Sequence, residues 1–385
     1  MPYDIDQLLV NESGRISGDI YSKTLNTSPW LKLVKKGTWE DEMGSSISAL
    51  TYQRSLPANT LTWSTVDYND GSGNTCVPTA EVVNFAQTLR TYNLQRSAIE
   101  SPALCIDDLR FTFRRKEQLS HIFRILTENT AYAWIDRHRD EFSRLAEHKV
   151  VATAALPEGT SSFPLIAPTS RLTQGILDRY YMKLIRDGAG NNPFGRENGR
   201  PQFAIITSSE ASNSVILDNA SVREDYRYNS TKVNELLAPL GVERAYKGFY
   251  HLIDDFGPRY DFVGGAWVRR LPYAPVATTQ GNKWDINPLY EAAAYEDTFI
   301  FHTDVMECLI PKPITSPGGN TKFDPVSYMG DFKWKNIMDK DTNPDGTIGY
   351  FRAILSSGSK PVFPERGYVI RTRRCDPALG LLACS

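Results

Sequence analysis

The sequence predicts an α+β chain built on one long helix, and three observations carry that prediction. From Asp107 to about Val150 more than forty residues pass without a glycine or proline. On either side the chain breaks into short β-branched and aromatic runs bounded by Gly, Pro, Asn and Asp, which read as strands and turns. A second helical pattern, Thr173–Asp187, lies among those strands and not in a bundle with the first.

The long helix rests on periodicity. Leu119, Ile122, Phe123, Leu126, Ala133, Trp134, Phe142 and Leu145 recur at helical spacing. Three pairs, Arg124 with Glu128, Arg137 with Glu141 and Asp140 with Arg144, lie four apart, where opposite charges meet on a helix surface. Asp107 or Asp108 suits the cap, and Lys149 suits the last turn beside the negative end of the dipole. At ~1.5 Å per residue such a helix is roughly 60 Å long, with Asn129–Thr130 as the place where it would bend. No strict a/d heptad is sustained, which argues against a coiled coil.

The other elements follow in chain order. Residues 1–44 read as an arm, punctuated by Asn11, Ser13, Gly14, Ser17 and Gly18, with Trp30, Leu31, Leu33 and Val34 as apolar anchors. Ser46–Ser55 and Leu89–Ile99 read as two strands of a protruding hairpin around Asp67–Gly73. Such a ribbon is marginal alone in water and calls for a surface to lie on. After the loop Pro157–Ser170 comes the helix Thr173–Asp187, with Ile176, Leu177, Tyr180 and Leu184 as its apolar face. A buried strand at Phe203–Thr207 is followed by short helices near Ser209–Leu217 and Lys232–Leu237, then strands at Tyr246–Ile253 and Tyr260–Arg269 that read as paired with each other. Asn287–Pro288 opens a helical turn. Thr298–Ile310 reads as one long strand, stopped by Pro311, Pro313 and Pro317. Thr347–Leu355 and Tyr368–Arg374 are the last strands.

Composition excludes several classes of function. A net charge of −2 over 385 residues argues against a protein that wraps nucleic acid directly. No segment has the apolar run needed to cross a bilayer, and Met1–Asp6 lacks the pattern of a signal peptide. Cys76, Cys105, Cys308, Cys375 and Cys384 contain no CxxC pair and read as reduced structural thiols. The five histidines show no metal-ligand spacing. No catalytic, cofactor-binding or metal site is expected.

Four patterns resemble chemistry and fall short of it. Asp341-Thr342-Asn343-Pro344-Asp345-Gly346 copies the first half of a calcium loop, but Arg352 stands where the bidentate glutamate belongs, so a polar turn is expected. Gly188–Gly190 lacks the third glycine and the preceding strand of a dinucleotide site. His251 with Asp254 and Asp255 offers a base and carboxylates without an evident nucleophile. Tyr52, Trp63, Tyr68 and Tyr92 interleave with Arg54, Arg90 and Arg96, which suits single-stranded nucleic acid or a protein interface. The near-neutral charge favours the interface.

The order of arm, hairpin, long helix, compact α/β region and returning strand resembles tailed-bacteriophage major capsid proteins of the Hong Kong 97-type fold, shared with encapsulins. The stretches GTWEDEMGSSISALTYQRSLP (37–57), ESPALCIDDLRF (100–111), YKGFYHLIDDFGPRYDFVGGAW (246–267), YEAAAYEDTFIFHTDVMECLIPKP (290–313) and NPDGTIGYFRAILSSGSKPVFPE (343–365) are similar to wording met in that family. The resemblance implies an N-terminal arm (1–44), an extended loop (45–106), a peripheral domain with the spine helix (107–171), an axial domain (172–290), and a return strand with C-terminal strands (291–385). It implies a subunit that self-assembles through hexameric and pentameric capsomers into an icosahedral shell around phage double-stranded DNA, without sequence-specific contact to it. The expected location is the virion, after assembly in the host cytoplasm. Expected partners are further copies of the chain, a separate scaffolding protein, a portal and a decoration protein. The scaffold is expected to be separate because no charged helical segment of the scaffolding kind precedes the arm. Trp30, Trp39, Arg54, Arg90 and Arg96 are the expected subunit contacts. Some family members weld subunits through an extended-loop lysine; here no lysine occurs between Lys36 and Lys116, so the expected shell is not crosslinked. Another virion component (a connector or tail protein), an encapsulin-like shell, and a hydrolase at His251 are the competing readings.

Overall fold

The computed structural model describes residues 30, 35–39, 46–52, 87–93, 95–101, 103–105, 115–153, 159–186, 193–197, 199–217, 242–246, 248–278, 281–302, 305–311, 331–337, 341, 343 and 348–374. Residues 1–29, the Asp107/Asp108 cap, Gly188–Gly190 and the Lys232–Leu237 helix lie outside them. The N-terminal strands are β1 (Lys35–Trp39), β2 (Ser46–Tyr52), β3 (Gln87–Asn93), β4 (Gln95–Glu100) and β5 (Leu104–Cys105). Helix α1 (Arg115–Leu145) leads into β6 (His148–Val151) and helix α2 (Gln174–Arg186). There follow β7 (Gly195–Glu197), β8 (Arg200–Thr207), helix α3 (Ser209–Leu217), β9 (Val242–Tyr246) and β10 (Phe249–Ile253). Next are β11 (Arg259–Val263), β12 (Ala266–Arg270), β13 (Tyr273–Thr278), β14 (Gly281–Ile286) and the one-turn helix α4 (Pro288–Glu291). The chain closes with β15 (Tyr295–Phe301), β16 (Met306–Pro311), β17 (Asp331–Asn336), β18 (Ile348–Pro361) and β19 (Gly367–Arg373).

Helix α1 spans 31 residues and passes through Asn129–Thr130 without a break in its helical hydrogen bonding. It ends earlier than the periodicity predicts. His148–Val151 leaves the helix to pair in parallel with β19, because the apolar run of Val150 and Val151 finds a buried sheet position. Lys149 is therefore a strand residue. Its ammonium still donates to the Arg144 carbonyl at the helix end (3.4 Å) and to Ser161 O (2.7 Å). Of the expected i,i+4 pairs, Arg137 donates to Glu141 at 2.6 Å. Asp140 instead accepts from Arg269 of β12, and Arg124 lies 3.1 Å from His121 Nδ1. Helix α2 buries Ile176, Leu177, Tyr180 and Leu184, the face its spacing marks out. The Thr173 hydroxyl accepts from Ile176 N at its start.

Among the described residues the strands form two large sheets and two ribbons. One sheet runs β1-β16-β18-β17, with β4 and β5 also paired to β18. The other centres on β15, flanked along its length by β19 and on its far side by β11 and β8, and continues through β10 to β9. This second sheet takes strands from both sides of the boundary expected at 290/291. Ribbons β2–β3 and β13–β14 stand apart from both sheets.

Four expected strands are divided. Thr298–Ile310 is two strands in different sheets, β15 ending at Phe301 and β16 beginning at Met306. Tyr260–Arg269 is the hairpin β11–β12. It turns at Gly264 and Gly265 with φ of 61° and 81°, the positive values that a two-residue hairpin turn requires. Tyr246–Ile253 likewise turns at Gly248 (φ 88°), so β10 pairs with β9 and β8 and not with β11. In the hairpin region Leu89–Ile99 divides into β3, which ends at Asn93, and β4, which begins at Gln95. β3 pairs with β2 from Ser46↔Asn93 to Tyr52↔Gln87, whereas β4 joins β18.

Two apolar clusters hold the body together. Trp30, Trp134, Ile135, Phe142, Phe299 and Phe301 centre one, and Leu172, Leu177, Tyr180, Phe203, Phe249 and Ile370 the other. Because β8 is buried on both faces from Gln202 to Thr207, it separates them: Ala204 and Ile206 face the first, Phe203 and Ile205 the second. Strand alternation of period two does this partition.

Candidate assembly surface

Buried charge is the first feature that sequence reasoning missed. The Arg371 guanidinium donates through Nε and Nη2 to both oxygens of Asp297 at 2.7 and 2.9 Å, with both side chains almost fully buried. Three rings enclose it, with Tyr260, Phe163 and Trp267 at 3.5, 3.8 and 4.4 Å from ring centroid to guanidinium carbon. The pair locks neighbouring strands β15 and β19, where Asp297 and Arg371 are directly opposed. Arg374 donates to Glu291 O, Ala293 O and Glu210, tying the end of α4 to α3. Such groups are stable in the interior only because their hydrogen-bonding capacity is met.

The residues that sequence reasoning considered for chemistry have structural partners. Asp254 accepts from Arg139 Nε at 2.7 Å and from Trp30 Nε1 at 2.8 Å. Asp255 accepts from Ser209 N at 2.7 Å, at the start of α3. His251 is buried, with Nδ1 3.2 Å from Ser212 Oγ. This triplet is a set of struts between α1, α3 and β10. Asn343 of the calcium-like run donates to Ile337 O and Ile348 O and accepts from Ile348 N, which staples the turn before β18.

Burial strongly shifts His138, His302 and Glu296 among other groups. Burial, aided by Arg137, pushes His138 down to about 3, beside the Cys308 thiol at 3.5 Å. Burial and then Arg366 push His302 down to about 3. Glu296 is pushed up to about 7 by burial, opposed in part by a hydrogen bond from Ser208. All three are buried and belong to the packed body.

The expected contact residues are distributed unevenly. Trp30 is fully buried, stacked among Phe142, Phe299 and Phe301. The structure corrects the expectation for it: the indole completes this chain's own core, because its N–H finds Asp254 and its rings find aromatic partners. Trp39 ends β1, opposite Pro311. Arg90 sits in β3 opposite Ala49, and Arg96 in β4 opposite Ser356. Arg54 lies outside the described residues.

Among the described residues, exposed apolar side chains include those of both ribbons and their surroundings. In the ribbon β2–β3, Leu89 is 64% exposed, and Thr91 and Asn93 on the same side of the strand are also exposed. Around the base of β13–β14, Tyr132, Phe256, Leu271, Ile286 and Leu289 are exposed. By contrast β4 is paired along its length with β18 of the same chain. Ser101, which follows it, exchanges backbone and side-chain hydrogen bonds with Phe351 of β18 at 2.9 and 3.0 Å.

No protein-family model and no curated protein matches the chain. Solved structures do. The chain is similar to that of the Cyanophage Pam1 capsid asymmetric unit, with a TM-score of 0.50 at 10% identity over 91% of this chain and 93% of that one. The capsid of Ralstonia phage GP4 matches with a TM-score of 0.48 at 12% identity, covering 91% and 89%. The capsid of the native GTA particle gives 0.43 at 12% identity, covering 90% of each chain. The match to the Pam1 capsid chain establishes the fold, which is α+β and of the Hong Kong 97 capsid type.

Proposed function

We propose that the chain is the subunit of a self-assembling phage capsid shell. The observation that carries this reading is the likeness to the Cyanophage Pam1 capsid chain over nearly the whole length of both. The ribbon β2–β3 supports it, since a two-stranded ribbon, here with Leu89 exposed, is marginal alone in water. The partition into arm, extended loop, peripheral domain, axial domain and return strands belongs to this proposal, as do capsomers of six and five copies. In it Trp39, Arg54, Arg90 and Arg96 make subunit contacts, while Trp30 does not. Many modest interfaces repeated by symmetry give a stable shell. A scaffolding protein, a portal and a decoration protein would be its partners in the virion. The near-neutral charge suits a wall that encloses DNA without gripping it.

Gel filtration and negative-stain microscopy of the purified chain, alone and co-expressed with a scaffolding protein, test the proposal. Closed shells are expected. Discrete rings would favour a connector, and a monomer in every condition would overturn the shell reading. Boiling the particles in detergent should release monomers, given the lysine-free extended loop. A covalent ladder would contradict that part.

A further inference from the structure

We infer that an aromatic–aliphatic patch where α1, the turn after β10 and the base of β13–β14 meet is a contact surface for a second copy of this chain. The patch is continuous. Tyr273 packs against Tyr132 of α1 at 6.1 Å between ring centroids, and Phe256 stacks on it at 5.8 Å. Ile286 is its direct cross-strand partner and so shares its face of the ribbon. Leu271 and Leu289 lie beside Asn287, whose amide donates to Leu271 O and whose Oδ1 accepts from Leu289 N. Leu289, Leu271 and Ile286 are 57%, 54% and 46% exposed, so water covers about half of each of these aliphatic side chains.

The patch is also rigid. Asn287 caps α4, the Tyr290 hydroxyl donates to Gly257 O at 2.7 Å, and Asp254 is anchored to Arg139. Side chains held in place lose little entropy on docking, which favours a built contact over an accidental one. Four residues beyond Tyr132 on the same helix face, Asp136 accepts from Arg269, as does Asp140. An apolar centre with Tyr and Phe, edged by paired charges, has the anatomy of a protein interface. Folded monomers seldom leave such a patch in water.

The occupant is a second copy because the fold is that of a capsid chain and because a net charge of −2 sets up little repulsion between copies. The inference rests on the shell reading and adds a surface to it. Its test is the double variant Ile286→Asp with Leu289→Asp, both exposed positions, together with Ile286→Cys for thiol labelling read by peptide mass. The double variant should keep the thermal midpoint of the unmodified chain and lose particle yield by at least about tenfold, since two carboxylates would be desolvated at the contact. The Ile286→Cys thiol should react in the dissociated chain and be protected in particles. If the unmodified chain assembles and the double variant assembles equally well, the inference fails while the shell reading stands. Protection of the thiol in the dissociated chain would mean that the chain covers the patch itself, and also overturns the inference. If the unmodified chain never assembles, both readings fail together.

Discussion

The β15-centred sheet and the β2–β3 ribbon satisfy the same backbone requirements with different resources. In the sheet, β15 is paired along its length with β19 and at its two ends with β11 and β8, and its residues 296–301 are buried. Even its charges are answered inside the chain, Asp297 by Arg371. The ribbon has one partner strand for each strand, and its residue Leu89 faces water. A single amino-acid chain thus contains a body paired and packed within itself and a two-stranded ribbon of the kind that is marginal alone in water. The difference separates stability from assembly, so substitutions in the two regions should fail in different assays.

The largest effect is expected at the centre of the body. Asp297→Ala leaves the Arg371 guanidinium buried and uncompensated, which typically costs about 3–5 kcal/mol. Denaturant unfolding should show that loss, and assembly should fall only as a consequence of unfolding. A variant as stable as the parent would break the comparison, since the body would not then depend on its buried pair. Next comes Gly248→Ala. A positive φ of 88° strains any side chain there, and the new Cβ would collide with the Tyr181 ring. Thermal unfolding should record a loss of at least about 1–2 kcal/mol.

Acid should weaken the body by a calculable route. His138 and His302 titrate near 3 when folded and near 6.5 when unfolded, so between those values the unfolded chain binds protons that the folded chain refuses. Their contribution is full above pH 6.5 and is lost as pH falls toward 3. Glu296 works the other way. Its folded value of about 7 lies above the usual 4.5, so its contribution is full below 4.5 and lost as pH rises through 7. Below pH 4.5 the histidines act without that opposition, and each proton taken up on unfolding steepens the loss by about 1.4 kcal/mol per pH unit. Replacing His302 with a non-titrating residue of similar size should flatten the acid limb of the stability curve. An unchanged slope would remove that histidine from the account.

The smallest effect on stability, and the sharpest test of the contrast, is at Leu89. Leu89→Asp should shift unfolding by no more than about 0.5 kcal/mol while abolishing particles. A large loss of stability would show that the ribbon is part of the body after all.

Local patterns were legible in the sequence and long-range pairings were not. The buried face of α2, the strand at 203–207 and the Asn287 cap follow from spacing and capping chemistry within a few residues, which periodicity reads directly. The divided strands turn on conformations that only their glycines announce. Gly264–Gly265 was a hairpin signal inside what reads as a continuous strand, and Gly248 was another. The break between β15 and β16 had no comparable local mark. Arg371 and Asp297 are 74 residues apart, and nothing in either neighbourhood distinguishes them from surface charges. Trp30 looked like an anchor in search of a partner. The partner proved to be Phe142, Phe299, Phe301 and Asp254 of its own chain, residues that come together only once the fold has formed. For the candidate surface, the hairpin was visible as paired polar-alternating runs, whereas the patch at Tyr132, Phe256 and Ile286 joins three elements that are separate in sequence.

Hydrogen exchange on the dissociated chain and on assembled particles tests the division most directly, because amide protection reports how firmly each strand is held. The account predicts that β8, β15 and β19 exchange slowly in both states, while β2 and β3 exchange rapidly in the dissociated chain and become protected in the particle. Equal protection of β2 and β3 in the dissociated chain would contradict it.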